Sequence, residues 1–394
     1  MIRPFLVVSS LASLLLVLTC SAQQNSAARL VDLKAHDGVN LKATFFPAAK
    51  AGPGVLLLHQ CNRQRKVWDE LGWQLADAGI NVLTLDLRGF GESGGTAVDK
   101  LTPQEAQAQG QKWPADIDVA FQYLISQPGV KRDVIGVGGA SCGVDNSIQT
   151  ARRHPTQVKS LVLLSGGTDF AGRRFLREAS SLPVFAALAD DDEFPTIVEI
   201  MQWLFSLSSN PGKQFVHYTN GGHGADMFRL HPELRGKIVD WYVTTLIKSP
   251  GKAPAAKPAW TAPRSAEILN LIELPDGPDK VAHKLEDARK HDPKAVLFDE
   301  ATVNFMGYEH LQAGDASGAL AILKLNAAAF PNSPNVYDSL SDVYVATGEK
   351  DLARENAKKA LDLLPSYTTD PEDRRKAIRD SAQQKLKQLE PAPK

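Results

Sequence analysis

Val134-Ile135-Gly136-Val137-Gly138-Gly139-Ala140-Ser141-Cys142-Gly143 is the stretch on which the fold of this chain turns. An apolar run passes without a spacer into Ser141, and residues at helical spacing follow. Strand, bend, helix is the context in which a GxSxG string is informative, because the bend is so tight that the residues two before and two after the serine must be small. Backbone strain at such a bend lifts the hydroxyl above the sheet edge. Cys142 is a competing nucleophile within the same string. With Cys142 at the bend, however, Val144 would stand where a branched side chain clashes, so the spacing selects Ser141.

The same texture runs from residue 28 to 248. Apolar runs at 55–59, 81–87, 134–139, 160–165, 182–189 and 214–218 read as strands, and most are apolar on both faces, as buried parallel strands are. The segments 67–79 and 115–128 and the stretch after Ser141 have helical spacing. The reading is an α/β domain with a mostly parallel sheet flanked by helices.

At Ser249 the texture changes. SPGKAPAAKPAWTAPRS is rich in Pro and Ala and reads as a semi-rigid linker over 249–264. An all-α region is expected over 265–392. There Val303 and Tyr337, Met306 and Leu340, Gly307 and Ser341, Gly314 and Gly348, Ala319 and Ala353, and Pro331 and Pro365 are each 34 apart, so the region resembles tetratricopeptide (TPR) repeats. Asn326, Leu323 and Ala357 depart from that pattern, and irregular helix packing is expected there. Segments 278–291 and 369–389 are placed to cap the pair of repeats, and the mixed charges of the second read as a solvated face.

The 394-residue chain is 43% hydrophobic and 23% charged with a net charge of -1, a globular composition without a long-range field. Nucleic acid is therefore not an expected partner. Residues 1–22 read as an export signal, with Arg3 ahead of an apolar run from Phe5 to Leu18 that is shorter than the roughly 20 residues of a spanning helix. Cleavage after Ala22 would release the protein. Alternatively VLTC, ending at Cys20, resembles a bacterial lipoprotein box, despite Leu18 and Thr19, and would make a lipid at Cys20 the only membrane contact. The expected location is exported, periplasmic or anchored at the outer membrane. Two cysteines then remain, Cys61 and Cys142, too few for a disulfide framework. No cysteine or histidine cluster has metal-ligand spacing, so neither a metal nor an organic cofactor is expected.

Three further pieces join the elbow in a resemblance to the α/β-hydrolase family, its dienelactone-hydrolase and serine-esterase branch, over about residues 30–248. The string from Asp86 to Ser93 resembles the DxRGxGxS loop, where Asp86 and Arg88 are read as braces between loops. LLLHQC, at 56–61, matches the loop whose backbone helps to hold an oxyanion; the resemblance assigns that task to the N–H groups of Cys61 and Cys142, with Gln60 a departure from the usual glycine. His223, in Asn220-Gly221-Gly222-His223-Gly224, resembles the loop that carries the catalytic base, whereas His59 reads as a brace and His217 as a core histidine in a strand. The acid should follow the strand that ends at Ala189. Counting from the strand gives Asp192, counting back from Phe194-Pro195 gives Asp191, and the strand has the firmer register.

What the resemblance implies is a serine hydrolase acting on a small-molecule carboxylic ester through a Ser-His-Asp triad and an acyl-enzyme. A peptidase of the same fold, and a scaffold whose repeats bind a protein partner or a second copy, are the alternatives. If both oxyanion donors are cysteines, their α-carbons approach each other and an exported compartment allows a disulfide. The short span between Ser165 and Leu182 has no room for a helical cap, so an open site is expected.

Overall fold

The computed structural model describes residues 27–252 and 260–389. The expected export signal with Cys20, and residues 253–259 of the linker, lie outside the described residues. Eight strands form one sheet: β1 (Arg29–Lys34), β2 (Asn40–Phe46), β3 (Gly52–Leu58), β4 (Asn81–Leu85), β5 (Val130–Ala140), β6 (Val158–Leu164), β7 (Val184–Ala189) and β8 (Gln214–Tyr218). Their order is β1-β2-β4-β3-β5-β6-β7-β8. β1 pairs with β2, and β2 with β4, antiparallel, and every other pairing is parallel. This is the α/β-hydrolase fold. β1 and β2 were not among the expected runs, because β1 sits at an edge and buries only Val31 and Leu33, leaving a polar alternation where buried strands show apolar runs.

The continuous apolar strands feed two cores. Leu56, Leu58, Val137, Leu161 and Leu163 pack on one face, under α3 (Trp113–Ser126) and α4 (Cys142–Arg153). Val55, Leu57, Val162 and Leu164 pack on the other, under α1 (Asp69–Asp77) and α8 (Glu233–Tyr242), against Trp68, Leu75, Trp241 and Tyr242. Two short helices, α2 (Pro103–Gly110) and α7 (Met227–Leu230), lie in loops. Two more, α5 (Phe170–Glu178) and α6 (Pro195–Leu207), follow β6 and β7.

The C-terminal region is all helical: α9 (Arg264–Ile272), α10 (Gly277–His291), α11 (Glu300–Gln312), α12 (Ala316–Ala329), α13 (Pro334–Thr347), α14 (Lys350–Leu363) and α15 (Glu372–Leu389). The hairpin α11–α12 and the hairpin α13–α14 repeat each other's layout, and each first helix is followed by a glycine of positive φ, Gly314 at 83° and Gly348 at 82°. The departures are accommodated. A Cβ at Gly307 would meet Leu323 Cγ at 2.5 Å, so the missing side chain on one helix makes room for the larger one on the next. Asn326, fully buried, donates from Nδ2 to the carbonyl of Glu300 at 3.1 Å. α15 buries Ile378, Ala382 and Leu389, and Lys385 Nζ meets Asp338 Oδ1 at 2.9 Å and Asp342 Oδ1 at 2.8 Å.

The two regions share a core. Met201, Trp203 and Leu204 of α6 belong to the same apolar cluster as Ala266 and Leu269 of α9 and Val303 and Met306 of α11. Trp260, at the end of the linker, packs edge-on to Phe205 and tilted against Phe215, with ring centroids 5.1 Å from each. Among the described residues no helix is long and apolar enough to cross a membrane.

Candidate active site

Ser141 joins β5 to α4 with φ 54° and ψ -121°, a conformation that costs a non-glycine residue about 1–3 kcal/mol. Strand β6 and the first turn of α4 hold it there: its N–H donates to the carbonyl of Leu164 at 2.9 Å, and its own carbonyl accepts from the N–H of Val144 at 2.8 Å. The flanking glycines are steric necessities. A Cβ at Gly139 would lie 2.0 Å from the carbonyl oxygen of Gly143, and one at Gly143 would lie 2.3 Å from that of Leu58.

His223 and Asp192 are both buried, and His223 Nδ1 lies 2.9 Å and 2.8 Å from the two carboxylate oxygens of Asp192. The carboxylate also accepts the N–H of Phe194 at 2.9 Å, which fixes its plane. With Nδ1 so engaged the proton sits there, and Nε2 is the basic nitrogen. Asp191 points elsewhere. Its Oδ1 accepts the N–H of Gly222 at 2.8 Å, and that bond holds its carboxyl below the usual range. The His223 loop touches the elbow: a Cβ on Gly224 would stand 3.2 Å from Ala140 Cβ. Among the described residues Ser141 Oγ and His223 Nε2 make no hydrogen bond, to each other or to any other group. In unliganded sites such bonds are commonly long and tighten when substrate arrives.

The third side of the site is the loop after β3. Cys61 and Cys142 are joined in a disulfide, with α-carbons 5.9 Å apart. The bond links the two residues whose N–H groups were assigned to the oxyanion. Among the described residues neither N–H donates to another group. Gln60, read from the sequence only as a departure, turns out to be a latch. It is fully buried, its Oε1 accepts the N–H of Ala225 at 2.8 Å, and its Nε2 donates to Asn62 Oδ1 at 2.9 Å and the carbonyl of His223 at 3.4 Å. It thus ties the loop after β3 to the histidine loop. A glycine at position 60 could do neither, and no local pattern in the sequence announces a contact between residues so far apart along the chain.

The remaining residues singled out are braces. His59 is buried, with Nδ1 2.8 Å from the carbonyl of Gln60 and Nε2 3.1 Å from the N–H of Leu87, and burial pushes its pKa down. Asp86 pairs with buried Arg65 and accepts the N–H of Glu92 at 2.9 Å, while Arg88 bridges Asp116 and Asp37. His217 is not a core histidine. β8 is the edge strand, and the ring is exposed there, 2.6 Å from Asp190. Among the described residues no cluster of His, Cys, Asp or Glu could hold a metal ion.

A cleft of about 600 Å³ opens from Ser141 and Cys142, within the usual range for small-molecule sites. Its inner side is formed by Gly166, Gly167, α5 and α6, and its outer side by α11. The open site expected from the short span before Leu182 is therefore corrected. No cap is inserted there, but a helix from the C-terminal region takes that place. Arg173 of α5, nearly buried, joins the two sides. Its Nε donates to Glu273 Oε1 at 2.6 Å, its Nη2 to Glu309 Oε2 at 2.6 Å, and its Nη1 to the carbonyl of Thr168 at 2.6 Å. Burial pushes the Glu309 carboxyl up to about 7 against the pull of Arg173. Asp145, also at the cleft, is raised by burial while Thr168 Oγ1 donates to it at 2.6 Å.

Residues 50–206, about two fifths of the chain, match the family model described as Hydrolase_4, serine aminopeptidase S33. This chain carries an α/β-hydrolase domain. Within the hydrolase domain the match covers the elbow, the oxyanion loop and both aspartates, and it stops short of His223. No curated protein matches the chain. Among solved structures, DcsB in complex with its substrate analogue is similar at a TM-score of 0.47 and 14% identity, over 56% of this chain and all of its own. An esterase from Pyrococcus furiosus reaches 0.45 at 19% identity, covering 56% of this chain and 93% of its own. A dienelactone hydrolase from Anabaena variabilis reaches 0.44 at 17%, covering 56% and 98%.

Proposed function

We propose that the hydrolase domain cleaves carboxylic esters, with Ser141 as nucleophile, His223 as general base and acid, and Asp192 as the residue that orients the imidazole. The observation that carries this reading is the buried His223–Asp192 pair on a loop packed against the strained bend of Ser141. As substrate docks, Ser141 Oγ attacks the ester carbonyl and passes its proton to His223 Nε2. The N–H groups of Cys61 and Cys142 receive the developing oxyanion, where each donor is worth about 2.7–4 kcal/mol of transition-state stabilisation. His223 then returns the proton to the leaving alcohol. Water, activated by the same nitrogen, releases the acid from Ser141.

The match to a serine aminopeptidase family makes an aminoacyl amide the second substrate class. A fluorophosphonate probe, by which Ser141 Oγ displaces fluoride at phosphorus, tests the chemistry common to both. The wild-type protein should be labelled and Ser141→Ala should not. Turnover of p-nitrophenyl esters but not of aminoacyl p-nitroanilides then separates ester from peptide chemistry, and an unlabelled wild type would leave only a scaffold.

Export is supported by residues 1–22 and by the Cys61–Cys142 disulfide, which suits an oxidising compartment. The paired hairpins α11–α12 and α13–α14 support a tetratricopeptide-like reading of the C-terminal region.

A further inference from the structure

The cleft beside Ser141 has two directions, and the proton path tells them apart. In ester hydrolysis the leaving alcohol departs next to the imidazole that protonates it. The cleft reaches Ser141 and Cys142 and then runs over Gly166 and Gly167 towards α5, α6 and α11, and His223 is not part of its lining. A group bound there therefore lies on the acyl side of the scissile bond. Phe170, Ile197, Ile200 and Trp203 line one side, and Phe305 and Tyr308 of α11 face them.

The charges at this cleft disfavour an acidic acyl group. Asp145, Asp169 and Glu309 all contribute to the lining. Arg173 is the one basic residue among the lining residues, and its guanidinium is engaged by Glu273, Glu309 and the carbonyl of Thr168. A substrate carboxylate would meet three carboxyl groups and no unpaired cation, whereas a hydrocarbon group meets aromatic and branched side chains.

Helix α11 is held firmly as a wall. Glu309 is fixed by Arg173, and Tyr308 donates its hydroxyl to Asp342 Oδ2 at 2.7 Å, which leans α11 on α13. Phe305 is different. It lines the cleft yet remains 52% exposed, so its ring is the one large apolar group on α11 whose size can change without opening the core.

We infer that the C-terminal helical region completes the acyl-binding site of the hydrolase domain, that the site takes uncharged esters with an apolar acyl group, and that Phe305 sets the length admitted. The inference rests on the ester reading and deepens it. A region read from its sequence as tetratricopeptide-like repeats is thereby a substrate-specificity element.

The test measures kcat/KM of the full-length protein on p-nitrophenyl esters from acetate to laurate, for wild type, Phe305→Ala and Phe305→Trp. The leaving group is constant, so only the acyl side varies. Phe305→Ala should raise the ratio of laurate to acetate about tenfold and Phe305→Trp should lower it, a size of effect ordinary for a change of shape in an apolar pocket. Damage to the fold would lower both esters together and leave the ratio alone. The same ratio in all three proteins would overturn the inference while leaving the ester reading intact. Failure of wild type on every ester overturns both, and fluorophosphonate labelling of Ser141 then tells whether the nucleophile survives.

Discussion

At the floor of the cleft, Ser141 is fixed by backbone: two glycines with no room for a Cβ, hydrogen bonds to β6 and α4, and a disulfide beside it. At the outer wall, the helix that carries Phe305 and Tyr308 is held by side chains: Val303 and Met306 in the shared apolar cluster, the Arg173–Glu309 ion pair and the hydroxyl of Tyr308. The contrast follows from what each surface would do in the proposed reaction. Bond making depends on placement within fractions of an ångström, and short covalent and backbone constraints provide it. Selecting an acyl group needs only a boundary of the right shape, which a region packed on the hydrolase domain through a shared apolar core and salt bridges can supply.

The largest effect should break the floor. Asp192→Asn should lower kcat by about 10⁴-fold with the fold intact, as loss of the orienting carboxylate does in serine hydrolases. Asp191→Asn, whose native carboxylate meets backbone N–H groups of the loop before His223, should change kcat by less than about tenfold when both variants are assayed on one ester. Equal losses would mean the acid is shared or wrongly placed.

The next test breaks the wall. Arg173→Met leaves Glu273 and Glu309 facing each other with their buried cation gone, and removing one partner of a buried ion pair costs about 3–5 kcal/mol. Denaturant unfolding should register that loss. At a temperature where the variant remains folded, fluorophosphonate labelling of Ser141 should persist while chain-length selectivity flattens. If labelling falls as far as selectivity, floor and wall are one mechanical unit and the contrast fails.

The smallest effect sharpens the description of the floor. Replacing both members of the disulfide, Cys61→Ala with Cys142→Ala, opens a bridge between residues 81 apart and should cost about 2–4 kcal/mol of stability. Both N–H groups remain, so kcat should fall by less than the roughly 10²–10³-fold expected when an oxyanion donor is lost. A fall as large as that would make the bridge itself the device that holds the donors.

Much of the floor could be read from local strings. The GxSxG bend, the glycine-rich loop around His223 and the aspartates after β7 are each a few residues long, and their steric demands act within those few residues. Gln60 was visible only as an anomaly, because its partners Ala225 and His223 approach it only once β3 and the loop after β8 reach the same end of the sheet. Arg173 was not legible at all. An arginine in an amphipathic helix reads as a solvated charge until Glu273, at the end of α9, and Glu309 of α11 close around it.

By itself the sequence determined the parallel sheet, the bend at Ser141 and the 34-residue period of the tail, since apolar runs, steric limits at a tight turn and helix-hairpin length are all short-range consequences of residue type. Only the tertiary structure decided which aspartate lies against His223, that Cys61 and Cys142 are bonded, and that α11 walls the cleft. Each of these is a meeting of side chains distant along the chain, and such meetings are fixed by how packed layers dock, which no local window contains.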